Sequence, residues 1–429
     1  NMKGTRYSNY TEEVFQKHLY GSETVTAGLL NCDTYSFGWD KTNGDAWGTI
    51  YGYIKSLNLM LEKIDNVPGD EAERNCQKGQ ALFLRAWNYH LLYSLYGRVP
   101  LVDKTFQLND KFELKRAGLD EVADFICKDL DEAATLLPVK YDDSELGRAT
   151  KGAALAALGK IYLYEKEYDK AIDVLEPLTK SPYTYKLVDD FAWNFDDSHE
   201  NNAESIFELL IDNLGGTDLW GDGENNNSTQ TNTRPKEYAA PEAAGWYEAT
   251  PSKQMMDIFK QELDKDGNYD YRARVSAAWD YPGCTYYLKP FREKFEKDRW
   301  NTTWILKYQN WNTAEEESDP PMSCINERAI RYAEVLLQLA ECYLYSPTKQ
   351  DLNKAVEYIN QIRRRANLND YSGAMSQTEI FKDLEHQKAI EFFVEGERFY
   401  DLRRWGLLDE RIKTCSDVRY KQLETGKVG

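Results

Sequence analysis

The stretch Gly147–Pro182, GRATKGAALAALGKIYLYEKEYDKAIDVLEPLTKSP, limits what this chain can fold into more than any other. Thr150 predicts a helix start, because its hydroxyl accepts from an orphan backbone N–H of the first turn. Small residues recur at Ala153, Ala154, Ala156, Ala157 and Gly159. A helix with so few bulky side chains on one face lets a neighbouring helix come close. Tyr162 and Tyr168 follow, then a second helical run through Ala171, Leu175 and Leu178, with Pro182 as a stop.

Small residue, Tyr, Ala, large apolar residue and Pro at these offsets is the tetratricopeptide spacing, in which two antiparallel helices interlock. Leu178 stands where a second alanine is usual. The theme recurs. Trp47, Ile50, Tyr51, Ile54, Leu57, Leu61 and Ile64 fall at helical intervals. Pro68-Gly69-Asp70 breaks that helix, and a second is predicted from Glu71 to Tyr96, ended by Gly97 as a left-handed cap. A helix over 119–137, stopped by Pro138, can pair with the Thr150 helix. Much later Ile330, Ala333, Leu337, Ala340 and Leu344 form another stripe, answered beyond Pro347 by Leu352, Ala355, Ile359 and Ile362. A last pair is predicted from Thr378 to Phe393 and from Arg398 to about Leu407. These pairs are expected to stack as one body, since about three repeats are needed for stability. The expected fold is therefore mainly α, one domain over 1–429, with helical pairs over 45–187 and 329–410.

Between them, residues 188–328 change character. Ser205–Ile211 reads as a short strand or buried extended run, and Pro251–Phe259 as one helix. The remainder is rich in Trp, Tyr, Pro, Gly and Asn, with the aperiodic run GGTDLWGDGENNNSTQTNTRP inside it. An irregular stretch of this length in a folded domain is where function usually sits. Its aromatics matter because Trp and Tyr offer flat, rigid surfaces, while amides and carboxylates bond hydroxyl groups.

Several function classes drop out. A net charge of −19 opposes binding to a nucleic-acid backbone, which needs clustered Lys and Arg. Mean hydropathy is −0.70, and no run of about 18 apolar residues could span a membrane. The seven cysteines form no CxxC pair, so zinc and redox readings lack support. The four histidines make no HExxH, and neither GxSxG nor GxxxxGK[ST] occurs. Asp264–Asp270 resembles a calcium loop, but its glycine is fourth rather than sixth, which excludes an EF-hand. A turn is the simpler reading, with an irregular structural Ca²⁺ site as the alternative; Asp218–Glu224 is a weaker second candidate. No other cofactor is expected.

The C-terminal segment AIEFFVEGERFYDLRRWG places Glu391, Glu395 and Arg398 at i, i+4 and i+7, continued by Asp401 and Arg404. On a helix these would meet as an ion-pair ladder. The reading preferred here is a structural network tying the last helices to the body, over a catalytic carboxylate pair.

With this motif the chain resembles the starch-utilisation system D family, SusD/RagB-like proteins of Bacteroidota. The matching residues run through most of the sequence. They include Trp47, Tyr51 and Asn58, Leu84-Arg85-Ala86-Trp87, Tyr96-Gly97-Arg98-Val99-Pro100-Leu101 and Asp129-Leu130. Gly147-Arg148-Ala149-Thr150-Lys151, Ile206-Phe207-Glu208, Asp270-Tyr271-Arg272 and Lys307-Tyr308 continue the series. It closes with Ile330–Leu337, Arg363, Arg365, Glu391, Glu395-Gly396, Arg398 and Asp401–Trp405. His386-Gln387-Lys388 departs from the family's usual Glu-Arg pair, which is expected to alter one ion pair and not the fold. The chain is also short for the family, and the resemblance implies a lipidated cysteine ahead of it.

The resemblance implies a non-catalytic, surface-exposed lipoprotein of the outer membrane. Such a protein holds an oligosaccharide or polysaccharide and delivers it to a partner SusC-like TonB-dependent transporter. The lipid anchor would be its only membrane contact. Sugar rings have apolar faces and a hydroxyl rim, so loop aromatics beside amides are the candidate contacts. The clusters are Trp39 with Asp40 and Asn43, Trp220 with Asn225 and Asn227, Trp246-Tyr247, and Trp279 with Tyr281 around Asp280. Trp39, Trp220 and Trp246 rank first because polar, Gly-containing sequence surrounds them. Each loop ring has a plainer role open to it, as a plug in a local core. Trp47 and Trp87 lie on helical faces and are assigned to the core. Two other classes compete with the glycan lid: a helical scaffold for a protein or peptide, or a peptide-importing relative of the same family, and, ranked below it, a glycoside hydrolase with paired carboxylates about 5–10 Å apart.

Overall fold

The computed structural model describes residues 24–26, 44–106, 114–211, 234–247, 249–319, 321 and 323–414. Strand β1 (Thr24–Thr26) precedes helices α1 (Gly44–Lys63), α2 (Glu71–Tyr96), α3 (Leu119–Leu136), α4 (Lys151–Tyr164) and α5 (Tyr168–Leu175). The break residue Asp70 starts α2, its carboxylate accepting from the Glu73 N–H at 3.0 Å. Thr150 caps α4 as expected, accepting from the Ala153 N–H at 3.1 Å. Gly97 does take positive φ, but at φ 69° and ψ −104° it lies outside the left-handed helical region predicted for it. The chain instead leaves α2 extended and returns beneath it. There Tyr51 Oη donates to the Pro100 carbonyl at 2.7 Å, and Asn58 Nδ2 donates to that of Val102 at 2.8 Å.

The small-residue face of α4 is used for close packing. Ala153, Ala154, Ala156 and Ala157 are buried. A methyl added at Gly159 would stand 2.4 Å from the Leu175 side chain on α5. Helix α5 ends earlier than the sequence predicts, at Leu175, and Glu176–Thr179 continues as a 3₁₀ turn. Pro177 is the reason, since it has no N–H to extend the i→i−4 ladder.

The middle of the chain contains β2 (Ser205–Leu209), α6 (Arg234–Tyr238), β3 (Ala249–Pro251), α7 (Lys253–Phe259) and α8 (Tyr271–Ser276). It continues with β4 (Ala277–Ala278), β5 (Thr285–Tyr286), β6 (Lys289–Pro290), α9 (Phe291–Lys294), β7 (Trp304–Ile305) and β8 (Glu327–Arg331). Among the described residues the strands pair two by two and antiparallel: β1 with β3, β2 with β8, β4 with β7 and β5 with β6. The β2–β8 ladder pairs Ser205 with Arg331 and Leu209 with Glu327, and so closes the neck of the irregular region. Ile330, predicted to open a helical stripe, belongs to β8 instead. Its strand pairing overrides the 3.6 period, and helix begins at Tyr332.

Helices α10 (Tyr332–Tyr345), α11 (Leu352–Arg365), α12 (Gln377–Glu391), α13 (Arg398–Trp405) and α14 (Leu408–Thr414) complete the fold. One contiguous apolar cluster takes Ile54, Phe83, Ile126 and Ile161 from the first helices and Leu336, Ala340, Ile359 and Leu384 from the last. Trp87 is buried in it and Trp47 packs against it, as assigned. A polar spine crosses the first three helices. Arg85 on α2 donates to both Asp129 oxygens on α3, at 2.7 and 2.8 Å, and to Asn58 Oδ1 on α1 at 2.9 Å. Lys160 on α4 joins the two halves, lying 2.9 Å from Glu334 on α10 and 2.6 Å from Glu397. No helix among the described residues is long and apolar enough to cross a membrane.

Candidate ligand-binding face

The charged C-terminal motif is structural, but it is not a ladder. Helix α12 ends at Glu391, and Val394 and Gly396 take positive φ of 53° and 85° in the turn that follows. The charges therefore reach outwards to other elements. Glu391 accepts from Arg272 at 3.3 Å, Arg331 at 3.1 Å and Arg365 at 2.5 Å. Glu395 accepts from Lys307 at 2.6 Å and from two Arg331 nitrogens at 2.8 Å each. Arg398 donates to Glu385 at 3.1 Å, Asp401 pairs with Lys388 at 2.9 Å, and Arg404 pairs with Glu341. Burial alone would raise the Glu391 carboxyl, but Arg365, Arg331 and Arg272 together hold it well below its ordinary value. A carboxylate pinned by three guanidinium groups is a poor proton donor. Two of the departures from the family pattern belong to this network: Gln387 accepts from Arg272 at 2.6 Å, and Lys388 is the partner of Asp401.

This hub fixes the irregular region to the scaffold. Lys307 and Arg272 come from that region, and Met255, Met256, Phe259 and Ile305 pack with Ile390 and Phe393 at the end of α12. On this base stands a second aromatic core of Tyr286, Tyr287, Phe291, Phe295 and Trp304. Trp304 is 0% exposed and stacks on Phe295 at 4.7 Å with planes 3° apart. Half-buried rings of Tyr247, Tyr281, Trp300 and Trp311 pack around that core.

The predicted residues divide as follows. Trp39, Asp40, Asn43, Trp220, Asn225 and Asn227 lie outside the described residues. Trp246 and Tyr247 are half-buried at the end of a tightly determined turn. The Trp246 N–H donates to the Lys236 carbonyl at 2.7 Å and that of Tyr247 to the Ala239 carbonyl at 3.0 Å. Ala244 and Tyr247 both take positive φ, 58° and 54°, which costs on the order of 1 kcal/mol each. A methyl at Gly245 would sit 1.9 Å from the Ala239 carbonyl oxygen, so only glycine fits. Tyr247 then rests on Trp304 at 4.5 Å. The surroundings hold the turn in a shape it would not choose alone.

Trp279 is a correction. It is 4% exposed, within 4.5 Å of Tyr281 and 5.2 Å of Tyr269, in an apolar cluster with Met255 and Ile305. It plugs a local core and presents no face to a ligand, and Tyr281 is half-buried in the same ring group. Asp280 beside them is held below its ordinary carboxyl value by Arg292, which grips it at 2.9 and 2.8 Å. The acidic turn at Asp264 is closed by its own hydrogen bonds. Its carboxylate accepts from the N–H groups of Asp266 and Asn268 at 3.0 and 2.9 Å and from Arg274 at 3.2 Å. The second acidic turn, Asp218–Glu224, is outside the described residues, and among those described no cluster of metal-ligating side chains occurs.

Sequence reasoning passed over Trp300 and Trp311. Arg292 lies over Trp300 at 4.7 Å, whose indole N–H donates to the Phe295 carbonyl at 3.0 Å. A signal was available: each tryptophan is followed by an asparagine, Asn301 and Asn312, and both asparagines are exposed. The face thus combines rings set on a rigid aromatic base with amides at its margin, an arrangement suited to a polyhydroxylated ligand.

Comparison with known proteins agrees in fold. Residues 2–163 match the family model described as "Starch-binding associating with outer membrane", and residues 203–427 match that of the SusD family. A SusD superfamily protein from Bacteroides vulgatus is 48% identical in a structural match with a TM-score of 0.83, covering 96% of this chain and 87% of that one. SusD-like protein P2 of Formosa agariphila is 28% identical over 91% of this chain and 77% of its own length. Surface glycan-binding protein A from Bacteroides thetaiotaomicron, solved in complex with laminarihexaose, shares the fold at a TM-score of 0.72 and 19% identity, covering 93% and 85% of the two chains.

Proposed function

The chain belongs to the SusD family, and from that premise we propose that it captures a glycan at the cell surface on the aromatic face and hands it on chemically unchanged to a TonB-dependent transporter in the outer membrane. The observation that carries the reading is the set of half-buried rings, Tyr247, Trp300 and Trp311, on a base of fully buried aromatics, with half-buried Trp246 next to Tyr247 in the same turn. Rings already held in place lose little freedom on binding, so more of the stacking energy appears as affinity. The laminarihexaose complex of a structural neighbour supports the ligand class. Trp39 and Trp220, with their neighbouring polar residues, are proposed as further ligand contacts.

Affinity electrophoresis through a panel of neutral polysaccharides tests the reading. At least one polymer should retard the protein without release of reducing sugar. Trp246→Ala should weaken that retardation about tenfold while the melting temperature stays within a few degrees. Reducing-sugar release would point to a hydrolase. Unchanged retardation in Trp246→Ala, Trp39→Ala and Trp220→Ala would remove the face. For delivery, the outer surface of the helical pairs is proposed as the transporter-facing side. Cross-links to the transporter should map to residues 45–187 and 329–410, and cross-links concentrated in 213–311 would contradict this.

A further inference from the structure

A groove of about 350 Å³ opens where the loop before α4, the turn at Pro182 and strand β2 meet. None of the rings of the aromatic face lines it. Its size is at the small end for pockets that enclose small ligands.

The aromatic walls are fixed in advance. Tyr183 and Tyr185 lie 5.9 Å apart with ring planes within 14°. Tyr185 Oη sits 3.4 Å from Thr150 Oγ1, against a helix start where residue 152 is glycine. A methyl there would stand 2.2 Å from that phenol oxygen, so Gly152 makes room for the ring. Tyr141 accepts from Gln80 Nε2 at 2.6 Å and carries the Arg148 guanidinium 5.1 Å over its face.

The charges lining the groove balance, with Lys140 and Arg148 against Glu145 and Glu208. Arg148 is already bound to Glu145. Glu208 accepts from the Asn201 N–H at 3.0 Å and from Asn326 Nδ2 at 2.9 Å. Lys140, which is exposed, is the one lining charge with no ion pair among the described residues. The other uncommitted polar groups include neutral ones: the Asn201 carboxamide and the Thr184 and Tyr183 hydroxyls line the groove with no hydrogen bond among the described residues. Parallel rings beside neutral donors and acceptors suit a ligand with apolar C–H faces and a hydroxyl rim.

We infer that this groove is a second binding site for a neutral oligosaccharide, separate from the aromatic face. Tyr183 and Tyr185 take the ring faces, and Asn201 and Thr184 bond the hydroxyls. Two sites on one rigid scaffold would hold a polymer more tightly than either alone.

The test uses the full chain and a panel of laminarin, starch, xylan and galactomannan in affinity gels. Tyr183→Ala should weaken retardation about tenfold in the Trp246→Ala background, and by less where the first site is intact. Asn201→Gly, which keeps the positive φ of 50° at that residue, should act in the same direction. Because Asn201 is exposed, this variant carries the test should Tyr183→Ala fold poorly. Short oligomers of the retarding polymer should also protect Tyr183 from hydroxyl-radical oxidation. Retardation abolished by Trp246→Ala and untouched by both groove variants would overturn the second site and leave the first standing. Loss through Tyr183→Ala and Asn201→Gly with no effect of Trp246→Ala would support the groove and overturn the face. No retardation by any polymer would end both.

Discussion

Arg331 is 1% exposed and binds Glu204, Glu391 and Glu395 from two separate segments. Its value to the fold is not the attraction taken alone, because desolvating four ions is costly. Its removal, however, leaves buried carboxylates short of a partner. Arg331→Met is therefore expected to lose about 3–5 kcal/mol, read as a lower urea midpoint with an unchanged slope. A loss below about 1 kcal/mol would mean that water reaches the cluster. At the same scale, the sequence marked Glu391, Glu395, Arg398, Asp401 and Arg404 as a structural network, and the bonds agree. Their partners were not legible: Arg272 lies 119 residues from Glu391, and no local spacing encodes such a pairing.

At the scale of elements, α4 and α5 approach closely at Gly159. Alanine is the better helix former by about 1 kcal/mol, so Gly159→Ala would stabilise an isolated helix. Here the added methyl would meet fully buried Leu175 at 2.4 Å. Overpacking of this kind costs about 1–3 kcal/mol, and the expected outcome is a lower melting temperature. A rise would show that α5 yields easily. The helical pairs could be read because capping residues and apolar spacing are local signals: Thr150, Asp70 and the alanines of α4 all act as their positions suggest. The errors fall where a neighbour in space overrules local pattern. Ile330 joins a strand because β2 is beside it, and the 391–398 stretch turns where a continuous helix would have kept its charges in line.

For the whole molecule, the hub predicts how stability depends on pH. Glu391, Glu395 and Asp401 are each pulled below their ordinary values of 4.5, 4.5 and 3.8, burial being outweighed by Arg365, Arg331 and Lys388 among others. A carboxyl with a lowered folded value contributes stability above its ordinary value, and that contribution is lost as pH falls towards the folded one. Glu334 works the other way. Burial pushes it up to about 6, so its contribution is lost as pH rises from 4.5 to 6. The three lowered carboxyls of the hub predict a urea midpoint that falls below about pH 4.5. A flat acid limb would show that the hub carboxylates are not held ionised. Because these ions join scaffold and irregular region, acid should release the aromatic face and the helices together in one transition.

The sequence by itself determined the helical pairs, their caps, the small-residue face that lets them interlock and the irregular region that interrupts them. Those follow from backbone sterics and short-range periodicity, which a linear chain displays openly. Only the tertiary structure decided which rings are available. Trp246 and Trp279 have similar loop surroundings in sequence, yet one ends a strained turn half-buried and the other is sealed beneath Tyr281. The groove at Tyr183 was equally hidden, since its walls come from segments that meet only after β2 is in place. Exposure is a property of what else arrives at the same point in space, and one-dimensional spacing does not record it.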